Sequence, residues 1–402
     1  MPVTAGREDG DASIPALLAN TKRFELLTPG IELRNDWPMD CRPKIGYRGA
    51  RNVSQRAEMA TIRDVAKHAR VAIATVSAVL NDSASVSADT RKRVWAAVDA
   101  VGYSPNAIAR SLRLGKSRLI GIAVADITNP FCSSMVRTME NAAIAAGYSI
   151  IVCNTDDHPT RERDVIKQLR SQHVAGIILM PIGKEEDYRK LSEARNLPPI
   201  VAVDNKVTGL ECDFVGVDNR ACARLLTQYL LRLGHRRIAM ITGIPGIWTA
   251  EERRIAFLQT MEEAGVVDPS MCVAGNYHDD LAYDVTKLLM TRANRPTAII
   301  GANNVTALGA LQAILDLGFR CPQDVSLVGI DDVPWGGLVR PRIVTVAQPI
   351  ADIARTAIAC LLERISGALG ADVPPREMIF QPRFVSGDSC LSLGPVEVAS
   401  NA

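Results

Sequence analysis

From Leu119 onward the chain alternates between short apolar runs and longer stretches in which apolar positions recur every three or four residues. The short runs are Leu119–Ala125, Ser149–Cys153, Gly176–Met180, Ile200–Val203, Ile238–Ile241, Ala298–Gly301 and Ser326–Ile330, each bounded by Gly, Pro, Asn or Asp. An apolar run of that length between such breakers reads as a strand buried on both faces. The stretches Met135–Ala146, Glu162–Gln172, Cys222–Leu233, Arg254–Ala264 and Val305–Leu317 read as amphipathic helices. Gly147, Gly234, Gly265 and Gly318 stand just past four of them, where a left-handed residue closes a helix. The βαβα order predicts parallel sheets with helices on both faces. Its length, about 285 residues, exceeds one comfortable core, so the fold class expected is α/β with two such subdomains.

Upstream the pattern changes. Thr61-Ile62-Arg63-Asp64 resembles a capping box, and Ile62, Val65, Ala66 and Ala69 then form a stripe at helical spacing. After a turn at Arg70-Val71, the positions Val76, Val79 and Leu80 share one face. Ser87 opens a third helix through Val101, with Val94, Val98 and Val101 inward. Two short helices joined by a tight turn and backed by a third describe either a helix-turn-helix head or a generic three-helix bundle. Residues 1–58 show no sustained period, and Pro29, Pro38 and Pro43 interrupt any helix, so little order is expected there. The break suggests Met59 as an alternative start of translation. The expected organisation is a 1–58 extension, a 59–105 head, a 106–117 hinge and linker, a 118–390 body and a 391–402 tail.

Composition narrows the class. Of 402 residues, 47% are hydrophobic and 22% charged, the balance of a soluble globular chain. No apolar stretch approaches the roughly 20 residues of a membrane span, and the first thirty residues lack a basic-then-apolar export signal. Nine cysteines stand singly, an odd number without a C-x-x-C pair, which favours a reducing cytoplasm over a disulfide framework. The net charge of +2 points nowhere until it is divided. Residues 59–116 hold nine Lys/Arg against four Asp/Glu, and residues 117–402 carry a net −4. A basic segment ahead of an acidic body is the asymmetry of a nucleic-acid-binding head on a sensing or catalytic body.

The residues of the head carry a specific resemblance. Ala60-Thr61-Ile62-Arg63-Asp64-Val65-Ala66, Ala74-Thr75-Val76-Ser77-Ala78-Val79-Leu80-Asn81 and Gly102-Tyr103-Ser104-Pro105-Asn106-Ala107-Ile108-Ala109-Arg110-Ser111-Leu112 resemble the lactose-repressor/galactose-repressor (LacI/GalR) family of bacterial transcription regulators. The likeness extends over the body to about residue 390. It implies that Ile73, Ala74 and Ala78 face bases in the major groove, while Thr75, Ser77 and Asn81 hold phosphates. Thr61, Tyr103, Asn106 and Ala109 join the DNA-facing set. The segment Asn106 to Arg113 is too short for a stable lone helix. The resemblance implies that it folds as a paired hinge on DNA, with Leu112 wedged in the minor groove and Arg110 and Arg113 at the groove edge or phosphate. Three positions depart from the family: Arg70 where Gly or Asn is usual, Ala72 where a Ser N-cap is usual, and Ala78 where Arg or His is frequent.

No G-x-G-x-x-G follows a strand, Gly115-Lys116-Ser117 lacks the upstream glycine of a phosphate loop, and the five histidines show no metal-ligand spacing. No catalytic residue, metal or cofactor is expected. Polar residues instead gather at strand ends, where open α/β sheets bind ligands: Asp126 to Phe131, Asn154-Thr155-Asp156 and Gly329-Ile330-Asp331-Asp332. By resemblance Arg253, Asn303 and Asp331 bind the effector; Arg, Asn and Asp together suit a polyhydroxylated molecule, the guanidinium donating as a rigid fork. Phe131 and Tyr277 would sandwich a ring, which matters in a chain only 4% aromatic, and Thr249 would add a hydroxyl. Trp248 and Trp335 are lesser candidates. Cys132, Asn304 and Asn276 depart from the family's usual residues, so the pocket differs in shape and charge.

The expected function is a ligand-responsive repressor that binds a pseudo-palindromic operator as a homodimer, cytoplasmic and on the nucleoid when DNA-bound. A sugar, sugar acid or polyol is favoured as effector and a purine is open; no membrane partner is expected. Val217 and Gln348-Pro349 are expected hinge crossings. On the residues alone two other classes stay open. A metabolic enzyme would require a cofactor fingerprint or a paired nucleophile and base. A plain sugar-binding protein would require an export signal.

Overall fold

The computed structural model describes residues 60–80, 86–103, 117–194, 196–368 and 373–394. The chain divides into two compact units between Tyr103 and Ser104. Residues 1–59 lie outside the described residues, as do Asn81 and the expected hinge residues Asn106, Ala109, Arg110, Leu112 and Arg113.

The first unit holds α1 (Ile62–Ala69), α2 (Ile73–Leu80) and α3 (Ala88–Val101). Asp64 reaches back to accept from the Thr61 backbone N–H at 2.8 Å and its hydroxyl at 2.7 Å, closing the capping box read from sequence. Arg70 ends α1 in the left-handed region, φ 52° and ψ 49°. There its N–H bonds Lys67 O, and the Val71 N–H bonds Ala66 O. Ala72 precedes α2 without a side-chain oxygen to cap it, whereas Ser87 Oγ accepts from Thr90 N–H at the start of α3. Val65, Ala66, Ala69, Val76, Val79, Val94, Ala97 and Val98 form the core, and Tyr103 packs half-buried against it. The opposite side of α2 turns Ile73, 45% exposed, and Ala74 to solvent.

The second unit contains two six-stranded sheets. One joins β1 (Leu119–Val124), β2 (Ser149–Asn154), β3 (Gly176–Leu179), β4 (Ile200–Val203), β5 (Asp213–Val217) and β11 (Glu377–Phe380), all parallel, in the order β11-β5-β4-β3-β1-β2. The other joins β6 (Ile238–Thr242), β7 (Cys272–Ala274), β8 (Ala298–Gly301), β9 (Ser326–Ile330), β10 (Val344–Ala347) and β12 (Arg383–Val385), in the order β12-β10-β9-β8-β6-β7. There only β12 runs antiparallel, against β10, so the second sheet is not wholly parallel. Helices α4 (Pro130–Ala145), α5 (Pro159–Ser171), α6 (Glu185–Ser192) and α11 (Ile350–Ser366) accompany the first sheet. The second has α7 (Asn219–Arg232), α8 (Trp248–Glu263), α9 (Asp279–Met290) and α10 (Asn304–Asp316). The four glycines expected as caps all take left-handed φ, from 69° to 91°.

Three crossings join the subdomains: Asp218 between β5 and α7, Gln348-Pro349 between β10 and α11, and Gln381-Pro382 between β11 and β12. The first two stand at crossings expected from the sequence; the third was not expected, because β11 and β12 open on charged residues and are largely exposed, leaving no apolar run. Two arginines anchor that return strand. Arg364 and Arg376 each bond the buried Asp213 carboxylate, at 2.7 and 2.8 Å. Burial alone would raise the Asp213 pKa, but these two hydrogen-bonded cations outweigh it and hold it down near 2. Leu391 and Leu393, at the start of the expected tail, are tied to the second subdomain. The Leu391 N–H bonds Ser326 Oγ at 3.0 Å and the Leu393 N–H bonds Leu233 O at 2.7 Å.

Candidate functional site

The carboxyl ends of nine strands, β1 to β4 and β6 to β10, open onto one cavity of about 290 Å³ between the two subdomains. Residues just past each strand line it: Asp126, Asp157, Ile182 and Asp204 from one side, Ile244, Tyr277, Asn303, Asp331 and Gln348 from the other. This is where open α/β sheets take ligands, because strand-end loops are free of the ladder and helix starts face the crevice. The backbone marks the site too. Asp156, Asp157, Asp204, Tyr277 and Asp331 all line the cavity with φ between 50° and 72°. Non-glycine residues seldom hold that conformation, and they cluster where function requires a particular side-chain aim.

All six expected effector residues, Phe131, Thr249, Arg253, Tyr277, Asn303 and Asp331, line this cavity. Arg253 is not a helix-surface charge; it is 3% exposed, while Glu251 and Glu252 pair with Arg254 and Arg220. Its Nε donates to Asn219 Oδ1 at 2.7 Å and its Nη1 to Ala302 O at 2.6 Å. The expected guanidinium fork is therefore mostly committed inside the protein, leaving Nη2. Asn303 caps α10, its Oδ1 accepting from the Thr306 N–H at 2.8 Å, and Gln348 Nε2 donates to Asp331 Oδ1 at 2.7 Å. Tyr277 Oη lies 3.3 Å from Thr249 Oγ1, and a Cβ on Gly243 would fall inside the Tyr277 ring. Glycine is the residue that lets this ring pass.

Asp204, Asn205, Gln348, Asp157, His278, Cys132 and Met180 also line the cavity and were not among the expected effector residues. Asp204 and Asn205 follow β4, a strand that was read correctly, so the same strand-end rule would have found them. Asp204 makes no side-chain hydrogen bond among the described residues. Burial pushes its pKa up to about 7; Arg253 opposes this, and Asp331 and Asp157 add to it. Burial likewise raises Asp331, against the Arg253 charge and the Gln348 hydrogen bond. The two lesser candidates do not join. Trp248 makes an edge contact with Phe214, centroids 5.4 Å apart, and Trp335 borders a separate shallow recess. Two hydrogen bonds span the cleft: Asn304 Nδ2 to Asn129 Oδ1 at 3.0 Å, and Thr249 N–H to Asn205 Oδ1 at 3.1 Å. Among the described residues no three His, Cys, Asp or Glu side chains assemble as a metal site, and no helix is long and apolar enough to cross a membrane.

Residues 61–106 match the family described as bacterial regulatory proteins, lacI family, and residues 227–390 match a periplasmic binding protein-like domain. The ribose operon repressor of Halalkalibacterium halodurans is 36% identical over 308 residues, 76% of this chain and 91% of that protein. The chain belongs to the LacI family. The transcriptional repressor PurR of Yersinia pestis is 34% identical over 316 residues, again 76% of this chain and 91% of that one. Among solved structures, the lac repressor dimer bound to operator and the anti-inducer ONPF superimposes with a TM-score of 0.75 at 25% identity, covering 83% of this chain and all of that one. This LacI-family member is a DNA-binding transcription regulator. Its family departures now have positions: Arg70 is left-handed, Ala72 leaves α2 uncapped, Ala78 is half-buried beside Thr75 and Ser77, and Cys132 lines the cavity. Asn304 makes the cross-cleft bond, and Asn276 holds φ 51°.

Proposed function

We propose that this regulator represses transcription as a homodimer on a pseudo-palindromic operator, and that a small polyhydroxylated effector in the interdomain cleft changes its DNA affinity. One observation carries the reading: the cleft is lined from both subdomains and already bridged by the Asn129–Asn304 and Asn205–Thr249 bonds, so a ligand there acts on both halves at once. Two heads related by a twofold axis present two α2 helices to two half-sites. Ile73, Ala74 and Ala78 offer apolar contact to base edges, with Thr61, Thr75, Ser77 and Asn81 on phosphates. Tyr103, Asn106 and Ala109 also face the DNA, Arg110 and Arg113 reach the groove edge or phosphate, and Leu112 enters the minor groove. Phe131, Thr249, Arg253, Tyr277, Asn303 and Asp331 hold the effector. Its differential affinity for two degrees of closure, about 1–3 kcal/mol, is what shifts operator binding.

The test combines an operator obtained by in vitro selection with a thermal-shift screen of sugars, polyols and purines. Arg253→Ala and Asp331→Ala should lose the ligand response in gel shift while retaining DNA binding. A response kept by both variants would show the effector binds elsewhere. Leu112→Ala should weaken operator binding and leave ligand-induced stabilisation intact.

A further inference from the structure

We propose that the cleft sorts ligands by charge, admitting uncharged hydroxyl-rich molecules and turning away their carboxylated and phosphorylated relatives, with Asp204 setting the filter. The inference rests on the cleft being the effector site. Five aspartates, Asp126, Asp156, Asp157, Asp204 and Asp331, line the cavity against one arginine and one histidine, His278. Asp156 is paired with Arg161, which leaves four carboxylates facing one guanidinium. That guanidinium has already given Nε–H and one Nη1–H to Asn219 and Ala302, so its side-on fork of Nε with Nη2 is lost to an anion.

At three helix starts on the cleft, the other usual anion seats, an asparagine already takes one backbone N–H. Asn129 Oδ1 occupies the Phe131 N–H of α4, Asn303 Oδ1 the Thr306 N–H of α10, and Asn205 Oδ1 the Thr249 N–H of α8. The acceptors without a hydrogen bond are both Asp204 oxygens, the second Asp331 oxygen and the buried Gln348 Oε1. Donors remain as well, among them the Asn129, Asn205 and Asn303 amide nitrogens, Arg253 Nη2 and one hydroxyl of the Thr249–Tyr277 pair. The free carboxylate oxygens are satisfied by hydroxyls, each of which brings a proton, whereas an added carboxylate or phosphate brings none.

A like charge about 6 Å away at an effective dielectric near 20 lowers affinity about a hundredfold. The experiment is calorimetric titration of the full chain at pH 8, where Asp204 is ionised, with matched sets: D-ribose, D-ribonate and D-ribose 5-phosphate, and the corresponding sets built on xylose and glucose. In every set that binds, the neutral sugar should bind about a hundredfold tighter than either anion. Asp204→Asn should narrow that ratio about tenfold by strengthening the anion, and Asp331→Asn gives a second variant should the first fail to fold. An anion that binds as tightly as its neutral partner overturns the filter. A ratio unchanged in both variants overturns the assignment to these carboxylates. Binding of no member of any set, with no response to any sugar, polyol or purine in the thermal-shift screen, overturns the effector-site reading, an outcome distinct from the other two.

Discussion

Asp204 should cost the empty protein stability, and the cost can be measured without any ligand. Its carboxyl stands near 7 in the folded chain, driven up by burial and by Asp331 and Asp157 against the pull of Arg253. In the unfolded chain the same group titrates near 3.9. Between those values the folded state holds the proton and the unfolded state does not, so the stability this group contributes is complete below about pH 4 and is lost as pH rises through about 7. The full difference corresponds to about 4 kcal/mol. The side chain borders an open cleft, and screening there reduces the expected figure to about 1–2 kcal/mol. Asp204→Asn keeps the shape and removes the ionisation. At pH 8 the variant should therefore melt about 2–6 °C higher than the parent, and the two should converge near pH 4. Scanning calorimetry of both proteins from pH 4 to 8 reads the difference directly. A variant that melts lower at pH 8, or a gap that does not change with pH, would refute the assignment of charge strain to this residue.

Arg70→Gly should relieve the left-handed cap of α1, stabilising the head by about 0.5–1 kcal/mol after the added freedom of the unfolded chain is subtracted. Amide exchange at Val65 and Ala66 should slow about two- to fivefold, and unchanged or faster exchange would count against strain at that turn. Gly243→Ala should push the Tyr277 ring from its place, lower the melting temperature by an overpacking cost of about 1–3 kcal/mol, and abolish ligand-induced thermal stabilisation; a stable variant that still responds to ligand would mean the ring is not required.

Strands such as Ile238–Thr242 and Ala298–Gly301 were legible because burial on both faces leaves an unbroken apolar run. Helix α6 was not: its eight residues, Glu185 to Ser192, bury only Tyr188, so no apolar stripe forms. The strand Asp213–Val217 begins on a buried carboxylate, whose burial makes sense only once Arg364 and Arg376 arrive from more than 150 residues away. The candidate site divides in the same way. Asp331 and Asn303 announce themselves beside clear strands, whereas Gln348 follows Val344–Ala347, whose apolar run is broken by Thr345. Nothing local says that the Arg253 fork is spent on Asn219 and Ala302, because that is a property of partners brought in by the fold.

The order in which the chain supplies its parts has a consequence for synthesis. Strands β1 to β5 are complete at Val217, yet α11, which packs on β3, β4 and β5, and the edge strand β11 are drawn from residues 350–380. Gly176 on β3 leaves just the room that Leu361 of α11 later fills. At about 5–20 residues per second, a ribosome leaves that apolar sheet face uncovered for roughly 7–30 s while it makes the second subdomain. A nascent chain stopped before α11 therefore carries an unfinished half and an open face, which makes it a substrate for holding chaperones. The same interlacing means that no single cut separates this body into two halves able to fold alone.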